Sequence, residues 1–250
     1  MQDKYVGDIG DFGKYILLNE ICSEFKLGVN WFYVNEEKQT EDQGYRYRYL
    51  KDENKDSEKY ERCCQDLYRK FRSLEVVKNK NRNIAKIEEA QILPVETAFY
   101  RKPLPKGETA RKRWFKESIE VFEREKVNII FLDPDNGIQP NPQKDKEAKD
   151  ATKYVFYDEI EFYYKIGKSL IIYSHRDRKP RDEYDKKILQ IQDHIKQPIE
   201  IKVLKFKRFS VRHYIFLIQK EHKDLTREII NFTSKHNFLF DCYPLNHTNE

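Results

Sequence analysis

Val127-Asn128-Ile129-Ile130-Phe131-Leu132-Asp133-Pro134-Asp135-Asn136-Gly137 is an apolar run that stops abruptly in acids, an amide, Pro and Gly. A short apolar stretch closed by Pro and Gly reads as a strand covered on both faces, the environment of parallel sheets. In open α/β sheets ligands bind just beyond the carboxyl ends of such strands, so Asp133, Asp135 and Asn136 stand where a site is expected. The same residues are turn formers, and a plain turn is the competing reading.

Working outward, the order after this strand reads as helix (151–166), strand (169–174), helix (182–195) and two strands (199–206 and 211–219) close enough to form a hairpin. A helix over 221–236 and a short strand at 238–240 follow. Before it, a helix over 11–25 carries apolar residues on one face, with Asp11 as a plausible N-cap. The β-rich 29–34 reads as the first core strand and ends in Asn35 and Glu36. A helix over 58–74, a short strand over 90–95 and an amphipathic helix over 107–126 come next. Parallel units finished by an antiparallel pair make a mixed α/β sheet, and no linker divides the chain, so one α/β domain over 1–250 is expected, with a mostly helical insertion at about 52–126.

Composition bounds the possibilities. The 250 residues are 38% hydrophobic, enough for a core, and 36% charged, yet the net charge is only +5, which permits nucleic acid as a partner without demanding it. The densest basic run is His175-Arg176-Asp177-Arg178-Lys179-Pro180-Arg181, directly after a strand. Arg176, Arg178, Lys179 and Arg181 are candidates for holding a phosphate backbone; a solvated face is the blander reading of each. Four cysteines without a CxxC pair argue against a zinc site or a disulfide framework. No apolar run approaches the roughly 20 residues needed to cross a bilayer, and the first residues lack a signal-peptide pattern, so a cytoplasmic protein without a membrane role is expected. Oligomeric state is not legible.

The strand and helix order resembles the second half of the Rossmann-like fold of S-adenosylmethionine-dependent methyltransferases, in which an Asp-Pro-Pro-Tyr-type motif closes the fourth strand of enzymes acting on exocyclic amino groups. Asp133-Pro134-Asp135-Asn136 occupies the corresponding place. A more particular likeness lies in Tyr5-Val6-Gly7-Asp8-Ile9-Gly10-Asp11-Phe12-Gly13-Lys14-Tyr15, which looks like the opening of the ribosomal RNA adenine-N6 methyltransferases of the large subunit, with a Gly, an Asp and a Lys at the spacing of Gly7, Asp11 and Lys14. The resemblance implies a methyltransferase-type Rossmann-like sheet and a base amino-group methyltransferase using S-adenosylmethionine. Asp133 and Asn136 would orient the amino group, Lys14 and Asp11 would complete the pocket, and Asn35 and Glu36 would lie near the cofactor. The chain also resembles a bacterial family sharing the N-terminal Gly-Asp-x-x-Asp pattern and the Asp-Pro-Asp-Asn-Gly motif, a likeness that implies no activity.

Two departures open other readings. No glycine follows the first strand until Gly44, whereas these enzymes hold the cofactor with a glycine-rich turn. Asp135 and Asn136 replace Pro-Tyr, adding a carboxylate where an aromatic face would stack the base. Glu36, Asp133, Asp135 and His175 at one edge would suit Mg²⁺ or Mn²⁺ and a metal-dependent nuclease or phosphoesterase, with His175 as ligand or base. A phosphatase of the haloacid-dehalogenase type, using Asp133, Asp135 and Ser174, is a weaker match. A non-catalytic nucleic-acid-binding module is the remaining alternative.

Overall fold

A computed structural model describes residues 1–35, 47–51, 53–73 and 82–246. In chain order these form α1 (Ile9–Ile21), β1 (Leu27–Asn30), α2 (Ser57–Cys63), α3 (Gln65–Ser73), α4 (Ala85–Glu89), β2 (Ala98–Tyr100) and α5 (Glu108–Arg124). The second half contributes β3 (Ile129–Leu132), β4 (Gly137–Ile138), β5 (Tyr154–Val155), α6 (Tyr157–Lys165), β6 (Ser169–His175), α7 (Arg181–Ile195), β7 (Glu200–Phe206), β8 (Arg212–Ile218), α8 (Asp224–Lys235) and β9 (Phe240–Cys242).

Seven strands make one mixed sheet in the order β2-β1-β3-β6-β8-β7-β9. β2, β1, β3 and β6 are parallel; β8 is antiparallel to both β6 and β7, and β9 is antiparallel to β7. This is a Rossmann-like α/β architecture, as the alternation of strand and helix predicts. β3 is apolar throughout because both its faces are covered. Ile129 and Phe131 enter one core with Phe12, Ile16 and Phe232, while Ile130 and Leu132 enter the other with Trp114, Tyr163 and Ile188. Each fully buried large apolar side chain contributes about 1.5–3 kcal/mol of transfer free energy. These two layers therefore fix which residues of β1, β3 and β6 reach the carboxyl edge.

Several boundaries differ from the expectations. The first strand is Leu27–Asn30 rather than 29–34, because Phe32 adopts φ +45° and breaks the extended run. Asn35 consequently lies five residues past the strand end (35 against 30) and is exposed, while Asn30 holds the strand terminus. The N-cap of α1 is Asp8, whose carboxylate accepts the Asp11 amide at 2.9 Å; Asp11 sits inside the first turn. The helix expected over 58–74 breaks at Cys64 into α2 and α3, and 90–95 is not a strand. The helix expected over 151–166 begins only at Tyr157, after β5. The insertion is helical in part only: it also carries the edge strand β2, and α5 is the crossover into β3. Arg111, a cation in the first turn of α5, meets the Glu159 carboxylate at 2.6 and 2.9 Å and two carbonyls, so its anion is internal.

The loop after β3 is shaped by one glycine. Gly137 has φ +98°, and a Cβ there would stand 2.2 Å from Ser174 Oγ and 2.7 Å from Ser174 Cα on the neighbouring strand. Both the backbone conformation and the close approach require glycine. Gly137→Ala is expected to cost roughly 3 kcal/mol, from left-handed backbone strain plus overpacking, read as a lowered urea midpoint; an unchanged midpoint would contradict the tight contact.

Candidate functional site

The carboxyl ends of β1, β3 and β6 meet the start of α1. Gly7, at φ +79°, precedes the helix and donates its amide to Asp11 Oδ2 at 3.0 Å. One turn on, Lys14 points back along the helix: its Nζ lies 2.9 Å from Asp11 Oδ1 and 2.7 Å from Asp133 Oδ2, with no more than 3% of any of the three side chains exposed. The ammonium is surrounded by the rings of Tyr15, Trp31, Phe131 and Tyr173. Burial alone would push Lys14 toward neutrality, but the Asp11 and Asp133 charges outweigh it and hold its pKa well above that of a free lysine. Burial raises the Asp11 carboxyl to about 6; Asp8 and Asp133 add to the rise and Lys14 opposes it.

The acids after β3 face different partners. The Met1 ammonium donates to the carbonyls of Trp31 (2.9 Å), Phe32 (3.1 Å) and Asp133 (2.9 Å), and lies 3.3 Å from Asp135 Oδ1, while Gln2 donates to Asp135 Oδ2. Burial opposes ionisation of Asp135, yet the ammonium and the Gln2 hydrogen bond win and lower its pKa. Asn136 donates its side-chain amide to Tyr154 Oη at 3.2 Å and its backbone amide to Lys153 O. The expected site residues Asp11, Lys14 and Asp133 thus form one cluster, with Asp135 and Asn136 in the loop that follows.

His175 ends β6 at the same edge, and behind it runs a chain of polar groups that the sequence did not announce. Asp8 Oδ2 is 3.5 Å from Arg212, Arg212 Nε donates to Tyr173 Oη at 2.6 Å, and Tyr173 Oη is 3.2 Å from His175 Nε2. The first Asp of Gly7-Asp8-Ile9-Gly10-Asp11 was a usable signal for Asp8; Arg212, opening a largely apolar strand, offered none.

The basic run is largely self-neutralised. Arg176 lies 3.0 Å from Asp177 and 4.7 Å from the Tyr184 ring, Lys179 lies 3.5 Å from Glu183, and Arg181 lies 3.5 Å from Asp185 while donating to Pro244 O. Arg178 is exposed and has no ion-pair or hydrogen-bond partner among the described residues. Among the described residues no group of three or more His, Cys, Asp and Glu side chains is arranged to hold a metal ion: Asp133 turns to Lys14, Asp135 to the amine and Gln2, and His175 to Tyr173. Glu36, expected near the cofactor or as a metal ligand, lies outside the described residues. No helix among them is long and apolar enough to cross a membrane. Neither a protein-family model nor a curated protein matches this chain.

On the other face of the sheet edge, His213 is fully buried against the rings of Tyr184 and Tyr243, with neither ring nitrogen hydrogen-bonded. Burial, reinforced by the charges of Arg176, Lys205, Lys187 and Arg181, lowers its pKa from 6.5 to about 3.

Two predictions follow from these buried charges. Lys14→Met leaves two carboxylates buried without a cation and is expected to cost about 3–5 kcal/mol in urea unfolding; a loss under about 1 kcal/mol, the size of an exposed pair, would show that the cluster is solvated. For His213, the folded pKa is depressed, so the neutral ring contributes stability that is fully present above pH 6.5 and is lost as pH falls toward 3. His213→Phe is expected to unfold less steeply with acid across that window than the unaltered protein, and parallel pH profiles would refute the assignment.

Proposed function

We propose that this protein is an enzyme acting on nucleic acid, of the methyltransferase-like kind that modifies an amino group on a base. The observation that carries the reading is the Lys14–Asp133 contact of 2.7 Å, which joins two stretches 119 residues apart. They are the two stretches that carry the methyltransferase resemblance: the N-terminal one looks like the opening of the ribosomal RNA adenine-N6 methyltransferases, where it lies beside the pocket, and the other stands where the Asp-Pro-Pro-Tyr-type motif of amino-group methyltransferases does. The antiparallel β8 lying between β6 and β7 supports the same likeness.

On this reading Asp133 and Asn136 accept hydrogen bonds from the base amino group, which orients it and increases the electron density on its nitrogen. Lys14 and Asp11 hold the Asp133 carboxylate in one rotamer. His175 stands at the same edge, its Nε2 3.2 Å from Tyr173 Oη, as the group able to take a proton.

S-adenosylmethionine would supply the methyl group on its sulfonium, but the turn after β1 does not fit a glycine-rich cradle for it. The residues are Trp31, Phe32 and Tyr33; the Phe32 amide is taken by Asn30 Oδ1 at 3.1 Å, and the carbonyls of Trp31 and Phe32 accept from the Met1 amine. Cofactor binding is therefore the decisive test. Isothermal titration with S-adenosylmethionine is expected to give a saturable heat, with labelled methyl appearing in RNA. Asp133→Asn is expected to lower transfer about a hundredfold or more while RNA affinity persists. Absence of cofactor binding, or undiminished transfer in Asp133→Asn, would sink the proposal. Hydrolysis requiring Mg²⁺ or Mn²⁺ and lost in Asp135→Asn would favour the nuclease instead, and RNA binding with neither activity would favour a non-catalytic module.

A further inference from the structure

The connection between β7 and β8 stands at the same edge as the basic run. His175 pairs with Arg212 across the sheet, and the Arg176 amide donates to Val211 O at 3.2 Å. Phe209, near the tip of that connection, combines two costs. Its φ of +63° is a left-handed conformation, about 1–2 kcal/mol unfavourable for an L side chain and ordinarily given to Gly or Asn in hairpins. Its ring is 67% exposed, so little burial offsets the strain. Folding alone would be served better by glycine, and a residue kept against local preference in an exposed turn is the mark of a functional position.

The surroundings specify the ligand. Residues 205–212 contain Lys205, Lys207, Arg208 and Arg212 and no acid. Lys207 is paired with Asp241, Arg208 is held on the carbonyl and ring of Phe238, and Arg212 is buried. Lys205 has no ion-pair or hydrogen-bond partner among the described residues, and neither does Arg178 in the adjoining loop. The rim therefore presents an exposed flat ring with unneutralised cations in both flanking segments. An acidic peptide would use the cations but leave the ring without a role. A duplex keeps its bases stacked and out of reach of such a ring. A single strand offers both a base to stack and phosphates to neutralise.

We infer that Phe209 is a base-stacking residue for a single-stranded stretch of nucleic acid, whose phosphates Arg178 and Lys205 meet. This rests on the nucleic-acid reading above and adds the strandedness of the substrate and a contact outside the Asp133 cluster. The test is fluorescence anisotropy with a short labelled single-stranded oligoribonucleotide and its duplex, using the full chain. Phe209→Ala is expected to weaken single-strand binding about tenfold, the usual worth of one stacked base. Phe209→Gly is expected to lose the same affinity while unfolding at no lower temperature, which separates binding from folding. Phe209→Trp is expected to retain affinity, with its emission quenched on adding the oligonucleotide. Unchanged affinity in Phe209→Ala, unquenched Phe209→Trp, or preference for duplex or for an acidic peptide would each overturn the inference. The two proposals fail separately: Asp133-dependent methylation with Phe209→Ala binding normally removes only the stacking residue, and Phe209-dependent binding without methyl transfer removes only the reaction.

Discussion

The structure depends on one buried cation. Lys14 links α1 to the end of β3 through Asp11 and Asp133, at 2.9 and 2.7 Å. At an effective dielectric near 20, each contact is worth about 6 kcal/mol before solvation is counted. Desolvation takes back several kcal/mol per ion, and three ions are involved, so the net stabilisation is small even though removing the cation alone is costly. What the triad contributes is position. An ammonium that must satisfy two carboxylates permits one rotation and one height of α1 over the sheet, and that placement brings Asp8 within reach of Arg212, and Gly10 within 2.9 Å, as a Cβ would measure it, of the Arg212 guanidinium. The small residues of Gly10-Asp11-Phe12-Gly13 make that approach possible, since a Cβ at Gly13 would lie 2.4 Å from the Phe206 ring.

Periodicity revealed most of this arrangement. β3, β6, α7, the β7–β8 hairpin and α8 follow from apolar runs and helical spacing that local propensity and tertiary packing both favour. The failures share a cause: a residue whose conformation or partner is imposed from a distance. Trp31 to Val34 have strand propensity, yet Phe32 takes a positive φ because Asn30 caps the turn through its side chain and Met1 binds the carbonyls beyond. Arg111 looked unfavourable in a first turn until Glu159, 48 residues away, is placed beside it. Asp8 and Asp11 are both plausible caps by residue type, and only the Lys14 contact, with Asp133 behind it, decides which one turns inward. The meeting of Asp11, Lys14 and Asp133 was anticipated by the likeness to a known family rather than by spacing, because no local pattern connects residues 119 apart.

The carboxyl edge divides into a closed centre and an open rim, and the division follows from charge. In the centre, Asp8, Asp11 and Asp133 are matched by Lys14 and Arg212 and shielded by aromatic rings, so water cannot screen them and each keeps a fixed partner. On the rim, the cations of the 176–187 segment mostly pair with Asp177, Glu183 and Asp185; Asp185 and Lys187 are themselves buried, whereas the exposed pair Lys179–Glu183 is worth at most about 1 kcal/mol. A polyanion displaces pairs of that strength at little cost, whereas it has no means of displacing Asp133 from Lys14. On the proposed reading a substrate meets the rim first and engages the centre by donating hydrogen bonds to Asp133 while Lys14 stays in place. A base amino group carries such donors, and a bare phosphate does not. That asymmetry is in keeping with the proposed chemistry on a base rather than on the backbone, and the Tyr173–His175 contact runs from the buried centre to the half-buried end of β6.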